Sequence, residues 1–323
     1  MNLVNFCISI SSIPLKAKKY LKFLLLSVIL FGMLLPAILH ILDFSITNND
    51  VIRIYQLNKI NSDDFNDIET IIVGDSSGGN AINKKTFTEL SRTKTENLTL
   101  TGSWGLLGSN GIIKRVISKN KNIKNIVIIQ TFDIWHRKKS NESIIELYSL
   151  KDVINETGLA SLLGYYTNPK EIWWHIKFFV KKYILNDFSS LEKIDLQHDY
   201  ILQAEAKYSN NQQQIKNERI GRIKLSADKR YELSSLEETC KKHSLNCILV
   251  NGPIHSEFVN NSKSIVDMNL SEVKDQIKFI KYYDKIFSYP SRKIGDSIDH
   301  MDVKFKDEST TDFYNLLKND LLR

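Results

Sequence analysis

Cysteine is scarce in this sequence, with three residues among 323. Only Cys240 and Cys247 lie outside the first 20 residues, and their spacing is not that of a metal-ligand set. Because there is no second cysteine pair, a structural zinc site is excluded. Two alternatives stay open for these two residues. They form a disulfide between a predicted helix and the strand after it, as an oxidising compartment would permit, or they are two buried free thiols.

The sequence also lacks a basic stripe with interleaved aromatic residues, which is the pattern of a nucleic-acid-binding surface. The net charge is +7, but four of the positive charges lie between residues 16 and 22 and the rest are scattered. Charged residues make up 25% of the chain and hydrophobic residues 42%, which fits a globular protein with a core. Nucleic acid is therefore not predicted as a partner.

One long apolar run stands near the N-terminus. Residues 23–42 read FLLLSVILFGMLLPAILHIL, without a formal charge, and about 20 apolar residues in a helix span a bilayer. The lysines before this run predict a cytoplasmic segment at 1–22 and export of everything after the run. A cleaved signal peptide is the alternative, but the run is long and no small-x-small cleavage site follows closely. We therefore expect a single-pass anchor in the inner (plasma) membrane, with the following domain in the periplasm or outside the cell.

The remaining chain divides into a polar stalk at 43–68 and a domain at 69–323. Short β-branched runs, each typical of a buried strand, alternate with helical patterns in this domain and occur at 69–73, 96–100, 125–130 and 246–251. This alternation predicts an α/β fold with a parallel sheet, helices on both faces, and a site at the carboxyl ends of the strands. Residues 140–225 break the rhythm and are interpreted as a helical insertion. Its aromatic helix from Glu171 is expected to be core, with a lid over the site or a helix lying on the membrane surface as the alternatives.

The first strand ends in the sequence Gly-Asp-Ser-Ser-Gly-Gly, residues 74–79. A serine between a strand and a helix sits at the edge of a sheet, where its hydroxyl faces a cleft. Gly74 permits the sharp turn, and amides at a helix start can hold an oxyanion. The alternative is an ordinary glycine-rich connection. Ser76 is therefore a candidate nucleophile.

A histidine beside carboxylates occurs near the C-terminus, where residues 295–300 read Gly-Asp-Ser-Ile-Asp-His before a predicted terminal helix at 309–317. A serine hydroxyl is a weak nucleophile until a base takes its proton, and imidazole suits that role near neutral pH. A carboxylate then fixes the tautomer of the ring. Taken alone, this stretch is interpreted as a solvated acidic loop. His255, after the fourth strand, is expected at the surface, with a place near the site as the alternative.

Together these pieces resemble the SGNH, or GDSL, hydrolase superfamily. The resemblance rests on the Gly-Asp-Ser-Ser sequence after the first strand, a glycine at the end of the second strand, and an aspartate shortly before a histidine. It implies a three-layer α/β/α, flavodoxin-like fold. It also implies that Ser76 is the nucleophile, that His300 is the base, and that Gly102, or alternatively Gly105, serves the oxyanion hole.

Two features depart from the family pattern. The family's aspartate stands three residues before its histidine, where this chain has Ser297. Asp296 is four residues before and Asp299 is adjacent; we favour Asp296, because an adjacent side chain usually points away. The third strand is followed by Phe132-Asp133 where the family has Asn-Asp, so the asparagine donor to the oxyanion is missing. Losing one such donor costs about 100- to 1000-fold in rate.

The closest resemblance is to membrane-anchored envelope members, such as the alginate O-acetylation proteins and the D-alanyl transfer protein of teichoic acid synthesis. It implies a membrane-anchored serine esterase or O-acyltransferase acting on acylated cell-envelope polysaccharide through an acyl-serine intermediate. The expected partners are an acylated glycan or acyl donor and a membrane acyl-carrier protein, and no cofactor or metal is expected. The alternative is a catalytically degenerate protein of the same fold that binds or assembles envelope polysaccharide.

Overall fold

The structure is a computed structural model that describes residues 19–27, 30, 34, 51–168, 173, 194–195, 200–201 and 220–322. Its contacts divide the chain into two compact units. One comprises residues 1–47 and 149–177, and the other comprises residues 48–148 and 178–323. The second unit contains the sheet and every predicted site residue.

The strands of the described residues are numbered here in chain order. They are β1 (Thr70–Gly74), β2 (Thr95–Asn97), β3 (Asn125–Gln130), β4 (Ile194–Asp195), β5 (Tyr200–Ile201), β6 (Asn246–Asn251), β7 (Ile254–His255), β8 (Lys281–Tyr283) and β9 (Ser288–Tyr289). Five of them form the main sheet in the order β2-β1-β3-β6-β8, with every neighbouring pair parallel. The strands β4 and β5 form an antiparallel pair, and β7 and β9 form a parallel pair.

The helices are likewise numbered in chain order from residue 51. They are α1 (Val51–Ile60), α2 (Ser76–Ala81), α3 (Lys84–Ser91), α4 (Gly105–Lys119), α5 (Asn141–Leu147), α6 (Leu150–Thr157), α7 (Leu159–Tyr166), α8 (Ala227–Lys242), α9 (Ser256–Asn260), α10 (Lys263–Gln276) and α11 (Lys306–Leu317). The helices α6 and α7 belong to the smaller unit. The predicted α/β class, with a parallel sheet and helices on both faces, is confirmed.

The order of the sheet decides where a cleft forms. Counted among the sheet's own strands, the order is 2-1-3-4-5, so the chain first adds a strand on one side of β1 and then continues on the other side. In such doubly wound sheets, ligands bind at the carboxyl ends of the strands, where the direction of winding reverses. Here that point lies between β1 and β3, at the end of the strand that precedes Ser76.

The apolar strand residues alternate between two buried faces of the sheet. Ile72, Val127 and Ile248 lie side by side in register and belong to a core that includes Phe87 of α3 and Phe313 of α11. Along each strand, the residues next to these three point to the opposite face of the sheet and are also buried. The helix α4 packs against that face. A strand covered on both faces explains the continuous apolar runs from which the sheet was predicted.

The segment after β1 corrects one predicted helix. The helical pattern of residues 81–90 in the sequence predicts a single helix, but the chain forms α2, breaks, and then forms α3. Asn83 causes the new start, because its side chain accepts a hydrogen bond from the amide of Lys85 and caps α3.

The glycine-rich segment at 103–111 corrects a second expectation. Its glycines predict a loop before a helix that starts at Ile112, but α4 begins at Gly105. A Cβ at Gly108 would lie 2.4 Å from the Cβ of Trp104, and one at Gly111 would lie 2.5 Å from the Cβ of Leu147. These glycines therefore permit close packing of a helix rather than an irregular loop.

The predicted transmembrane anchor at 23–42 is not supported. Across the part of the chain that the structure describes, no helix is long and apolar enough to cross a membrane. The described helical run at 19–27 is shorter than the roughly 20 residues that a span requires, and most of 28–42 lies outside the described residues. This finding contradicts the expectation of a single-pass inner-membrane protein.

Part of the segment predicted as a stalk belongs to the larger unit. Residues 51–60 form α1, in which Ile52, Arg53 and Gln56 are buried. The guanidinium of Arg53 forms a buried ion pair with Glu146, the Nε–Oε2 distance being 2.9 Å. A solvated linker does not bury such residues, so the packed chain begins before the predicted boundary at residue 69.

Two other expectations concern the middle of the chain and the cysteines. The aromatic helix predicted from Glu171 lies outside the described residues except for Trp173, which is helical.

Cys240 and Cys247 form a disulfide that joins the end of α8 to the start of β6. The first of the two alternatives for this cysteine pair is therefore the one found.

Candidate active site

The turn after β1 is shaped by Gly74. Its φ angle is +146°, and a Cβ at this position would lie 1.7 Å from the carbonyl oxygen of Ile129. Only glycine fits this close approach between β1 and β3. The chain then enters α2 at Ser76, directly at the carboxyl end of the strand.

Asp75 fixes the shape of this turn. Its buried carboxylate accepts hydrogen bonds from the amide of Ser77 at 3.0 Å, the hydroxyl of Ser77 at 2.6 Å and the amide of Thr131 at 2.9 Å. Burial raises the pKa of Asp75, and the charge of Asp299 acts in the same direction, while the Ser77 and Thr131 hydrogen bonds oppose both. Asp75 thus caps α2 and ties it to the end of β3, so that the position of Ser76 is fixed.

Three of the predicted side chains lie in hydrogen-bond contact, although 224 residues separate Ser76 from His300. The Nε2 of His300 lies 2.9 Å from the Oγ of Ser76, and its Nδ1 lies 2.8 Å from Oδ1 of Asp296. Because the carboxylate accepts the Nδ1 proton, Nε2 is left to accept the serine proton. We call these three residues the Ser-His-Asp set.

Asp299, the alternative aspartate, occupies a different position. Its nearest carboxylate oxygen lies 3.9 Å from Nε2 of His300, which is the ring nitrogen that faces Ser76. The carboxylate of Asp299 also accepts a hydrogen bond from the hydroxyl of Ser297. Asp296 alone of the two therefore contacts Nδ1, the nitrogen whose proton sets the tautomer.

Opposing effects act on the pKa of His300. Burial is the largest and lowers the pKa, but the hydrogen bond to Asp296 and the charges of Asp299, Asp296 and Asp75 together outweigh it. The net result is a pKa above the ordinary value for histidine. A protonated ring is thus stabilised, which is the state a general base reaches when it takes a proton.

The loop that carries His300 is held by backbone hydrogen bonds. Ile294 and Met301 pair as an antiparallel bridge, and the amide of Gly295 donates to the carbonyl of His300 at 2.7 Å. The amide of His255 donates to the carbonyl of Ile298 at 2.8 Å. The imidazole is therefore presented by a short closed loop that is also tied to β7.

His255, which was expected at the surface, is instead fully buried. Its Nδ1 accepts from the amide of Glu257 at 3.2 Å, so that its Nε2 carries the proton and donates to the Oγ of Ser291 at 2.7 Å. Burial lowers its pKa. The ring of His255 bonds Ser291, which shortly precedes the His300 loop, and His255 is not one of the Ser-His-Asp set.

The two glycines assigned to the oxyanion hole lie at the carboxyl end of β2. The amide of Leu100 donates to the carbonyl of Gly74 at 2.9 Å, which places this segment beside the end of β1. Gly102 starts a 3₁₀ turn (Gly102–Trp104), and Gly105, with φ +61°, starts α4. Gly102 and Gly105 thus follow closely after Leu100, whose amide is hydrogen-bonded to Gly74 in the turn before Ser76.

A pocket of about 290 Å³ lies between the end of β3 and the His300 loop. Its apolar wall includes Phe132, Ile254 and Phe258, and its polar rim includes Arg137 and Asp299. An apolar pocket with a few polar groups is the usual form of a small-molecule site, and this one is bounded by Ser297, Ile298 and Asp299 of the loop that carries His300. Among the described residues, no group of three His, Cys, Asp or Glu side chains is placed to hold a metal ion.

Where the resemblance to the SGNH superfamily implies an asparagine, this chain has Phe132 and Asp133, and neither side chain can donate a hydrogen bond. Phe132 is buried, and Asp133 is exposed and paired with Arg137, the Oδ2–Nε distance being 3.2 Å. Sequence reasoning missed Arg137 altogether. The signal available was a cationic side chain shortly after the carboxyl end of a strand, where ligand-binding residues collect.

No protein-family model matches this sequence, and no curated protein matches it. The class of the site therefore rests on its geometry and on the residue pattern described above.

Proposed function

We propose that this protein is a serine esterase or O-acyltransferase of the SGNH type. The observation that carries the proposal is the Ser-His-Asp set at the winding reversal of a parallel sheet. The strand order 2-1-3-4-5 is the flavodoxin-like order, which agrees with the fold that the resemblance implies. A serine, its base and the group that orients the base are the parts needed for acyl transfer.

The first half-reaction forms an acyl-enzyme. As the Oγ of Ser76 bonds to the ester carbonyl carbon, its proton passes to Nε2 of His300, and Asp296 stabilises the imidazolium through Nδ1. The carbonyl electron pair moves to the oxygen, giving a tetrahedral oxyanion. When this pair re-forms the carbonyl, the alkoxide leaves and takes the proton from Nε2, and the acyl group remains on Ser76.

The second half-reaction transfers the acyl group. Water or a sugar hydroxyl gives its proton to Nε2 of His300 and attacks the acyl-serine, and collapse returns the proton to Ser76. The resemblance assigns oxyanion contacts to the amides of Ser76 and of Gly102, with Gly105 as the alternative. By the same analogy the substrate is an acylated envelope polysaccharide and the acyl donor is an acyl-carrier partner.

Hydrolysis of p-nitrophenyl acetate tests this proposal. We expect turnover by the wild type that the Ser76→Ala variant lacks. Ser118→Ala is a matched control, because Ser118 is an exposed serine near the end of α4, and this variant should retain activity. Equal rates for all three proteins would refute the assignment of Ser76.

A second candidate is a catalytically degenerate protein that binds or assembles polysaccharide. The observation in its favour is the missing asparagine, since Phe132 and Asp133 stand in its place. This candidate predicts no ester turnover but saturable binding of a polysaccharide that is unchanged by Ser76→Ala. Isothermal calorimetry with an acylated and a de-acylated polysaccharide separates the two candidates.

A further inference from the structure

The guanidinium of Arg137 occupies the space that a side chain at position 102 would fill. A Cβ placed on Gly102 would lie 1.7 Å from Nη1 of Arg137, 2.8 Å from its Cζ and 3.1 Å from its Nη2. The three nearest atoms all belong to this one side chain. The end of Arg137 therefore lies directly against the backbone of the glycine that the resemblance assigns to the oxyanion hole.

Arg137 is held there from the carboxyl end of β3. It follows a 3₁₀ turn (Phe132–His136), and its Nε donates to Oδ2 of Asp133 at 3.2 Å. This bond uses one of the five N–H donors of a guanidinium. The ion pair with Asp133 therefore sets the direction of the side chain while Nη1 and Nη2 reach Gly102.

The positive charge of Arg137 also acts on Asp75, the residue before the nucleophile. Burial is the main reason that the pKa of Asp75 is raised, and Arg137 acts against it, so its charge reaches the residue next to Ser76. Arg137 further lines the same pocket as Ser297 and Asp299, which belong to the His300 loop. The guanidinium of Arg137 thus lies against Gly102, and its side chain shares a pocket with the His300 loop.

We propose, on the basis of the proposed esterase function, that Arg137 replaces the missing asparagine as a donor to the tetrahedral oxyanion. As Ser76 attacks, the carbonyl electron pair moves to oxygen, and the guanidinium donates a charge-assisted hydrogen bond to that oxygen without losing a proton. When the pair re-forms the carbonyl, the bond weakens. A donor that is strong only towards the charged state accelerates the chemical step.

Replacement of Arg137 by glutamine tests this role on p-nitrophenyl acetate, a neutral ester with no anionic group for the arginine to bind. We expect kcat to fall about 100- to 1000-fold with little change in KM, the effect of losing one oxyanion donor. Arg292→Gln removes the same charge from a residue outside the pocket and is the matched control. A fall in kcat of less than about threefold for Arg137→Gln would overturn the proposal.

Gly102→Ala provides a second test in which the arginine remains. The new Cβ meets only the movable end of Arg137, and φ of Gly102 lies outside the region that strains other residues, so the variant is expected to fold. It should displace the guanidinium and lower kcat as Arg137→Gln does. The double variant should be no slower than either single variant, because the two changes remove one interaction. Additive losses would mean that the added methyl group itself obstructs the substrate, and they would contradict the proposal.

A second readout separates failure of this inference from failure of the proposed function. Phosphonylation of Ser76 by a fluorophosphonate also develops charge on an oxygen, and intact-mass spectrometry measures its rate. Slower labelling of Arg137→Gln than of wild type supports the inference. If turnover and labelling require Ser76 but not Arg137, the inference about Arg137 is overturned and the proposed function stands. If the wild type neither hydrolyses esters nor is labelled, the inference and the proposed function are both overturned.

Discussion

Replacing Asp296 with asparagine is the sharpest test of how His300 is oriented. Asp296 accepts the Nδ1 proton across 2.8 Å, which leaves Nε2 unprotonated and facing the hydroxyl of Ser76 at 2.9 Å. An asparagine can turn its amide N–H towards Nδ1 and so favours the tautomer with the proton on Nε2. That tautomer cannot accept the serine proton, so the ring would be held in place but inactive as a base.

The size of the effect follows from that tautomer. In a serine protease the corresponding change lowers kcat about 10⁴-fold, which is about 5.4 kcal/mol at about 1.36 kcal/mol per tenfold. The side chain of Asp296 is 35% exposed here, so water can partly replace it. We therefore expect a loss of about 10³- to 10⁴-fold, measured as the initial rate on p-nitrophenyl acetate with folding checked by circular dichroism.

Asp299→Asn is the matched control for this measurement. Asp299 lies 3.9 Å from Nε2 and makes no contact with Nδ1 that would set the tautomer, so its loss should lower kcat less than about tenfold, by removing a nearby charge. If Asp299→Asn is the slower variant, Asp299 is the orienting residue and the assignment of Asp296 is refuted. If neither variant is impaired while Ser76→Ala is inactive, the site works as a serine-histidine pair.

Two further predictions concern pH and the disulfide. Because the pKa of His300 lies above its ordinary value of 6.5, kcat/KM should fall as the pH is lowered through an inflection above 6.5, where the base becomes protonated; an inflection below 6.5 in a pH–rate profile would contradict this. The same raised pKa stabilises the fold below pH 6.5, and this contribution is lost as the pH rises through the pKa of the folded protein. Replacing Cys240 and Cys247 by serine opens a loop with a sequence separation of 7, which should lower the free energy of unfolding by roughly 2–3 kcal/mol in urea melts while activity persists. Unchanged stability would show that the disulfide does not constrain the unfolded chain.

The parts of the fold with strong local patterns could be predicted from the sequence. The bounds of β3 and β6 match the predicted runs at 125–130 and 246–251, because a strand buried on both faces is apolar along its length. The pairing of Ser76 with His300 was implied by the resemblance, and the structure places Nε2 of His300 2.9 Å from the Oγ of Ser76. Asp296 was preferred to Asp299 on spacing alone, and the structure places Asp296 on Nδ1.

Other features depended on contacts that have no local signature. The glycines of the segment at 103–111 predict a loop, but Gly111 permits close packing against Leu147 of α5, a residue distant in sequence. A fully buried His255 could not be recognised, because its partner Ser291 is 36 residues away. Arg137 carries a weak local signal, its position shortly after the end of β3, but its contact with Gly102 joins residues that are distant in sequence.

The predicted anchor shows the limit of a composition argument. An uncharged run of 20 residues satisfies the length rule for a span. Among the residues that the structure describes, however, no helix meets the requirement for length and apolarity together. The proposals for the site use only the larger unit and do not depend on that run.

The central claim is that Ser76 is a nucleophile activated by His300, and peptide mapping after fluorophosphonate treatment tests it most directly. The neighbouring Ser77 is an internal control, because its hydroxyl is buried and donates to Asp75 at 2.6 Å rather than to a base. We predict that the label is found on Ser76 alone and that His300→Gln abolishes it. Labelling of Ser77, or labelling of Ser76 that persists without His300, would contradict the account.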